Sequence, residues 1–525
     1  MPISDPEQTQ AQPFLTVLLE LSPGDTAGAG WPTVLDSVAG EPAGTWEVLV
    51  IGTQEAIADA GLTGAAGGHP GMHTVVVPPE LSRASRLNLG LERSTGIATV
   101  LVRPGDALAT GAVGALRDEW LADVRTDVLY SDERLELPGR PVEVLTKPDF
   151  SPERLRGQEY TGRGVAYRTE FLRQLAGFSE GFELAEEYEL VLRCFAAANH
   201  VGHIRRPLYV TRDGGRFSPA SSATVLSAQR AVVADLERAG VAGTVTSNTG
   251  SQTHRVDYAV TGSPLVSIVI PTRGGSARIR GRERCLVLEA VREIVTRSSY
   301  SNIEIVVVAD EATPRKVVAD LIDVHPEKVR IVDWEKPFNF SEKMNRGVAH
   351  SRGEFVLLLN DDVELITPDW IETMLGLAQQ PGVGMVGTLL YFEGGAVQHG
   401  GHTYVQGAAG HIGFGWSDDN PGPGNAMLVA REVAGATAAC SLMSRETFFE
   451  VGGFSSLLPG NYNDVDLCMK VTGAGHRIIW TPHARLFHFE SQSREPSVAT
   501  HELETLHGRW LSRLQVDPYW PHSPY

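Results

Sequence analysis

Hydrophobic positions along the chain fall into two kinds of run. Short, unbroken, β-branched runs such as LVSIVIPT (265–272), IEIVVVAD (303–310), VRIVDW (329–334) and EFVLLLN (354–360) lack polar alternation. That is the pattern of strands buried on both faces. Longer stretches carry apolar residues at helical spacing: RERCLVLEAVREIVTRSS (282–299) and SEKMNRGVAHSRG (341–353), the second ending at a glycine. Strand, helix and strand in alternation predict a parallel sheet covered by helices. Ligands of such sheets bind beyond the carboxyl ends of the strands.

The N-terminal half repeats the layout. FLTVLLEL (14–21), WEVLVIG (46–52) and TVVVPP (74–79) read as its first strands. LNLGLERSTGIATVLVRPGDAL (87–108) aligns without gaps on MNRGVAHSRGEFVLLLNDDVEL (344–365), so that Asn88 meets Asn345, Gly90 meets Gly347 and Gly96 meets Gly353. AGFSEGFELAEEYELVLR (176–193) parallels GGFSSLLPGNYNDVDLCMK (452–470) with one residue inserted. A repeat of this size argues for two homologous domains. The polar residues differ between the copies. Asn360-Asp361-Asp362 faces Arg103-Pro104-Gly105, Asp464 faces Glu187, and His488 faces Val210; a one-residue gap would instead bring Asp106 opposite an acid. The expected organisation is therefore a degenerate, non-catalytic first domain (1–215), a connecting helix and linker (216–262) and a catalytic second domain (263–525).

Length and charge narrow the function classes. At 525 residues the chain exceeds one ordinary core, and 42% hydrophobic with 21% charged residues is a globular composition. A formal net charge of −19 repels phosphates at long range and argues against nucleic-acid binding. The four cysteines, Cys194, Cys285, Cys440 and Cys468, are far apart and read as free thiols of a reducing compartment. MPISDPEQTQAQPF lacks the basic and apolar regions of a signal peptide. The expectation is a cytoplasmic protein.

Two acids side by side at the end of a buried run raise each other's pKa unless a cation lies between them. LLLNDDVEL (357–365) has that arrangement. For an isolated case a solvated turn is the better explanation. Together with PLVSIVIPT, PFNFSEKMNRGVAHSRGEFVLLLNDDVEL, GNYNDVDLCMKV and LFHFESQSR, however, it resembles a family 2 glycosyltransferase of the GT-A fold. The nearest type is the two-domain bacterial one associated with O-antigen, rhamnan and other cell-envelope polysaccharides. The resemblance is dense over 264–525 and sparser over roughly 80–215.

That resemblance implies an α/β protein of two tandem GT-A-like, Rossmann-like domains. It implies an inverting transfer from a nucleotide-sugar (UDP, dTDP or GDP) to a glycan or lipid-linked glycan acceptor, at the inner face of the cell membrane with peripheral association. Asn360 and Asp362 stand at the ends of the family's DXD-like motif, and His488 lies 24 residues after Asp464, where the family places a metal-binding His. These three would hold Mn²⁺ or Mg²⁺, and imidazole beside carboxylate favours Mn²⁺. Asp464 takes the role of catalytic base, a group that the displacement requires opposite the leaving diphosphate. Pro271, Thr272, Arg273, Asp310 and Asp361 are assigned to the nucleotide, and Arg494 to the diphosphate. The Gly- and His-rich stretch 397–425 is expected to be a loop; its His399, His411 and Trp416, with Asp466, are assigned to the acceptor side. Its three histidines, at 399, 402 and 411, match the spacing of no common zinc site. Asn463 reads as a helix N-cap, and the basic stretch 274–284 as a loop over the diphosphate or plain surface. Two other functions compete: a bifunctional polymerase with both domains active, and a non-catalytic glycan-binding or scaffold protein.

Overall fold

The structure is a computed structural model of the chain and describes residues 12–22, 30–62, 69–212, 221–489 and 498–520. Two units emerge. The first runs to Gly240 and includes 246–254; the second comprises 241–245 and 255–520.

The second unit is built on a sheet whose strands run in the order Val329–Trp334, Ile303–Asp310, Val266–Thr272, Phe355–Leu359, Cys440–Ser444, Val383–Tyr391, Arg477–His488, Val363–Leu365. The first four are mutually parallel, with Val266 opposite both Ile303 and Phe355. Cys440–Ser444 then runs antiparallel to its neighbour. The four parallel strands are the β-branched runs seen in the sequence. In the inner three, polar alternation is missing because helices cover both faces: Val269, Val306, Val308 and Leu358 are all inaccessible to solvent, whereas the edge strand Val329–Trp334 exposes Asp333. Helix Leu286–Arg297 begins later than the spacing over 282–299 predicts. Residues Ser276–Ile279 and Arg282–Cys285 instead pair as a short hairpin. The 397–425 stretch is also more ordered than a loop; Val397–His399 pairs with the sheet, and His402–Val405 pairs with Ala408–His411.

The first unit has the same strand order. Met72–Val76, Trp46–Gly52, Leu15–Glu20, Ala98–Leu101, Ala166–Arg168, Thr126–Leu135, His200–Thr211 and Ala107–Leu108 follow one another across its sheet. The repeat seen in the sequence is thus a repeat of topology. Helix Ser222–Arg238 packs on helix Glu186–Ala197 in this unit, with Arg238 Nη1 3.2 Å from Glu189 Oε1.

The matched Asn and Gly positions form the same joints in both copies. Asn345 Nδ2 donates to Phe454 O at 2.9 Å, and Phe454 N–H donates back to Asn345 Oδ1 at 2.8 Å. Asn88 makes the same two bonds to Phe178, at 2.9 and 2.8 Å. The residue before each Phe is a glycine at positive φ, Gly453 at 59° and Gly177 at 64°. A Cβ there would come within 2.6 Å of Asn345 Oδ1 and 2.2 Å of Asn88 Oδ1, so only glycine fits. Ser267 Oγ donates to Glu304 at 2.6 Å and accepts Gly353 N–H at 2.8 Å. Thr16, Glu47 and Gly96 repeat that bridge at 2.5 and 2.9 Å.

No helix among the described residues is long and apolar enough to cross a membrane.

Candidate active site

A cleft of about 620 Å³ opens at the carboxyl ends of the parallel strands of the second unit. Each strand delivers one piece of it. Val266–Thr272 ends at Pro271 and Thr272, with Arg273 following; Ile303–Asp310 ends at Asp310; Phe355–Leu359 ends at Asn360-Asp361-Asp362. His488 enters because the short edge strand after the acids pairs with the long strand Arg477–His488, Val363 opposite His488. Asp464 and His411 complete the opposite wall.

The acids do three different things. Asp361 Oδ2 accepts the Thr272 hydroxyl at 2.5 Å. Burial first, and then the charge of Asp362, push its carboxyl up to about 7, against the pull of Thr272 and Lys343. Asp310 Oδ1 is bound by Lys343 Nζ at 2.5 Å, and the same ammonium donates to Thr272 O at 3.0 Å. Lys343 is buried at the cleft floor. Its signal in the sequence is a lysine one helical turn from Phe340 and Gly347, on the buried face of helix Phe340–Ala349.

Asp362 faces His488. His488 Nδ1 lies 2.7 Å from Gln398 Oε1, while Gln398 Nε2 donates to His488 O at 3.3 Å. Gln398 therefore presents its oxygen to the ring, which fixes the neutral ring's proton on Nδ1 and leaves Nε2 as an acceptor. Asn360 Nδ2 lies 3.0 Å from that nitrogen, and Asp362 Oδ1 lies 3.2 Å from it. Two electron-rich atoms at that distance repel unless a proton or a cation is shared between them. An imidazole oriented by a partner on its far nitrogen, with a carboxylate and an amide beside its near one, is the donor set of a divalent-cation site. The residues fit the ion that the sequence pattern implies.

Asp464 sits in the first turn of helix Asn463–Gly473, and its Oδ1 accepts Val465 N–H at 2.8 Å. The N-cap is Tyr462 rather than Asn463, held at φ 56°, ψ 9°. A left-handed conformation at a bulky non-glycine residue is strained, and such strain clusters where a backbone must aim a functional group.

Other expected residues fall outside the cleft wall. Asp466 is wholly buried and accepts from Trp510 Nε1 at 2.8 Å and Arg509 Nη1 at 3.0 Å. Trp416 packs beside Trp520 with ring centroids 6.3 Å apart. His399 lies behind His411, Nδ1 to Nδ1 at 3.0 Å. In the basic stretch, Arg280 and Arg284 both grip Glu364, and Arg280 also covers the Phe487 ring at 4.7 Å. Arg494 lies outside the described residues.

The first unit keeps the frame and changes the chemistry. Ala107 pairs with Val210 as Val363 pairs with His488, so the one-residue gap is taken and Asp106 stands where Asp362 does. Asp106 Oδ2 accepts from Arg163 Nη1 at 2.7 Å and Tyr209 Oη at 2.9 Å, and Oδ1 from Arg212 N–H at 2.9 Å. Glu187, where the second unit has Asp464, is bound by Arg103 at 2.9 Å and Arg83 at 3.0 Å. Burial raises its carboxyl, but the Arg103 and Arg83 guanidiniums outweigh that and hold it at about 2.

Residues 267–452 match the family model Glycosyl transferase family 2. The chain carries a family 2 glycosyltransferase domain. It is 32% identical over 462 residues to protein y4gI of Sinorhizobium fredii (strain NBRC 101917 / NGR234), described as uncharacterized, a match covering 83% of this chain and 49% of that one. It is 31% identical over 471 residues to the O-antigen biosynthesis protein RfbC of Myxococcus xanthus, covering 88% of this chain and 36% of that one. The chain spans about half or less of the length of these two relatives. Among solved structures, GalNAc-T7 with UDP, GalNAc and Mn²⁺ aligns with a TM-score of 0.39 at 12% identity, covering 50% of each chain. Mannosyltransferase PcManGT from Pyrobaculum calidifontis, in complex with GDP-Man and Mn²⁺, aligns with a TM-score of 0.32 at 15% identity, covering 48% of this chain and 71% of that one.

Proposed function

We propose that the second unit transfers a sugar, with inversion, from a nucleoside-diphosphate donor to a hydroxyl of a glycan or lipid-linked glycan in cell-envelope polysaccharide synthesis. One observation carries this reading. A single cleft holds two separate carboxylate sites, Asp362 with His488 at the strand ends and Asp464 at a helix start. The family 2 domain and the name of the Myxococcus xanthus relative support the reaction class. The same reading puts the protein in the cytoplasm, working at the inner face of the membrane.

Asp362 and His488, with Asn360 beside them, would hold Mn²⁺ or Mg²⁺. When bound, such an ion neutralises the charge that develops on the leaving diphosphate. Gln398 keeps His488 in the ligating tautomer. Thr272, Asp361 and the Lys343–Asp310 pair form the nucleotide end of the cleft, with Arg273 at its edge. On the acceptor side, Asp464 removes the hydroxyl proton. The hydroxyl oxygen bonds to the anomeric carbon on the face opposite the diphosphate, the carbon–diphosphate bond breaks, and the proton stays on Asp464. A positioned base of this kind contributes about 10²–10⁴ in rate.

The first unit is read as non-catalytic. Its two remaining acids, Asp106 and Glu187, are already neutralised by guanidiniums, so neither is left for a metal or for proton transfer.

The test is a donor screen by calorimetry on the wild type and Asp362→Ala, using UDP, GDP, dTDP and their sugars with Mn²⁺, Mg²⁺ or EDTA. One nucleotide should bind, only with metal and only with Asp362 present. Asp464→Asn should bind that donor normally and lose about 10²–10⁴ in turnover. Failure of every nucleotide to bind under all metal conditions would overturn the reading.

A further inference from the structure

Three histidines cluster together, one of them beside Asp464. His399 ends the strand Val397–His399, and His402 and His411 lie directly opposite each other in the following hairpin. One nitrogen from each ring comes within 4.8 Å of the others, a separation that invites a transition metal. The hydrogen bonds argue against it. Thr437 N–H donates to His399 Nε2 at 3.2 Å, so the proton of His399 lies on Nδ1. His399 Nδ1 is 3.0 Å from His411 Nδ1, so that proton is donated to His411, whose own proton then lies on Nε2. A neutral imidazole binds a metal through its unprotonated nitrogen. In both rings that nitrogen is already accepting a hydrogen bond. One imidazole remains, and one imidazole with one carboxylate falls short of a metal's usual ligand count.

His402 has a different task. It is only 2% exposed. Its Nδ1 has no hydrogen-bond partner among the described residues and faces Gly435, where a Cβ would come within 2.8 Å of it. A buried N–H without an acceptor is rarer than a buried acceptor without a donor. The neutral ring therefore carries its proton on Nε2, which lies 3.7 Å from Asp464 Oδ2. Burial pushes this ring down to about 4, against the pull of Asp464, so it is neutral near pH 7. The other carboxylate oxygen is held by Val465 N–H.

We propose that His402 is the positioning residue of Asp464, holding Oδ2 through its Nε2–H so that the carboxylate addresses the acceptor hydroxyl. The proposal rests on the reading of Asp464 as the base. A separation of 3.7 Å is long for a hydrogen bond, and catalytic contacts commonly tighten only once substrate is bound. Gly435 is part of the device, because a side chain there would push the ring off its seat.

Two measurements on the full chain test this. The first needs no substrate: ¹⁵N-histidine spectra should show His402, identified by its loss in His402→Gln, as neutral and protonated on Nε2. Its resonance should shift in Asp464→Asn. A proton on Nδ1 would overturn the proposal. The second follows nucleoside diphosphate release with the donor that the screen selects. His402→Leu should lose about 10²-fold in kcat, as misplacement of a reacting group does, with donor KM unchanged. His402→Gln, which restores an N–H donor at the same reach, should recover most of it. Wild-type kcat in His402→Leu, with Asp464→Asn inactive, would remove the positioning role and leave the base. Full activity in Asp464→Asn would remove the base and this role together. Stoichiometric Co²⁺ binding to Asp362→Ala that is lost in Asp362→Ala/His402→Leu would show a metal site instead.

Discussion

Gln398 should decide how tightly the cleft holds a divalent cation, although its side chain is not among the groups that would hold the ion. The perturbation is Gln398→Leu. In the wild type Gln398 Oε1 lies 2.7 Å from His488 Nδ1, which keeps the proton there and Nε2 turned to Asp362. Both residues are buried, at 3% and 7% exposure, so water is poorly placed to replace the lost acceptor. Without it, Nδ1–H becomes a buried orphan, and the proton moves to Nε2. There it meets Asp362 Oδ1, 3.2 Å away, and forms a hydrogen bond to a charged group. A bond of that kind is worth about 1.5–3 kcal/mol. A metal must now break it and return the proton to an unsatisfied Nδ1. Each 1.4 kcal/mol is a factor of ten, so the Mn²⁺ affinity should fall roughly 10- to 100-fold. That agrees with the usual effect of removing the partner that orients a metal-bound imidazole.

The assay is calorimetric titration of Mn²⁺ in the presence of the nucleotide that the screen selects. Gln398→Glu is the informative companion. Its carboxylate still accepts from Nδ1, so its Mn²⁺ affinity should stay near the wild type, while Asp362→Ala should lose binding. Wild-type affinity in Gln398→Leu alongside the loss in Asp362→Ala would refute the tautomer argument. Loss in Gln398→Glu as severe as in Gln398→Leu would also refute it.

Three further outcomes are expected. Mn²⁺ at about a hundred times its Kd should stabilise the second unit by about 2.7 kcal/mol in thermal unfolding; EDTA should reverse this, and Asp362→Ala should show none of it. Glu187→Gln should destabilise the first unit at pH 7. The Glu187 carboxyl drops from 4.5 to about 2 on folding, worth about 3 kcal/mol. Because the folded value is the lower one, that contribution is complete above pH 4.5 and disappears as pH falls through about 2. The gap between variant and wild type in urea unfolding should therefore narrow in acid, and a gap that widens would contradict the pairing. Gly347→Ala should destabilise despite a gain of about 1 kcal/mol in helix propensity, because its Cβ would come within 2.3 Å of Val269 Cγ1, and overpacking costs about 1–3 kcal/mol. A higher Tm in this variant would refute that account.

Much of the frame was legible because it depends on local pattern. Buried parallel strands show as β-branched runs, and the strand-end acids show because polar residues interrupt those runs abruptly. The Asn and Gly positions matched between the copies because a side chain at Gly453 or Gly177 would strike the asparagine that joins helix to loop. What was not legible depends on which distant segments meet. Helical spacing over 282–299 hid a hairpin, since its first four residues pair backward with Ser276–Ile279. Linear spacing among His399, His402 and His411 gave no hint that a hairpin sets two of them face to face. Gln398 gives no signal because a buried glutamine looks like any surface residue until its partner is seen, and the signal of Lys343 is no more than its place on the buried face of its helix. The glycine-rich stretch places Trp416 on the acceptor side, whereas its ring packs beside Trp520.

The two copies together separate what the fold needs from what the chemistry needs. The bridge from Ser267 to Glu304 and Gly353 recurs as Thr16, Glu47 and Gly96, since it seats the start of the central strands in either copy. The acids at the strand ends recur only in part, and each survivor in the first unit has a guanidinium within 3.0 Å. A carboxylate buried at a strand end requires a positive partner in either copy. In the first unit arginines from the same chain supply it permanently. In the second, Asp362 is left facing an imidazole nitrogen that the ring's own tautomer makes an acceptor. Such a contact holds only if a proton or a cation is shared across it, and on the proposed reading a divalent cation takes that place. The copy that neutralises its own acids keeps no carboxylate for a ligand, which is why the same sheet carries one proposed active site and not two.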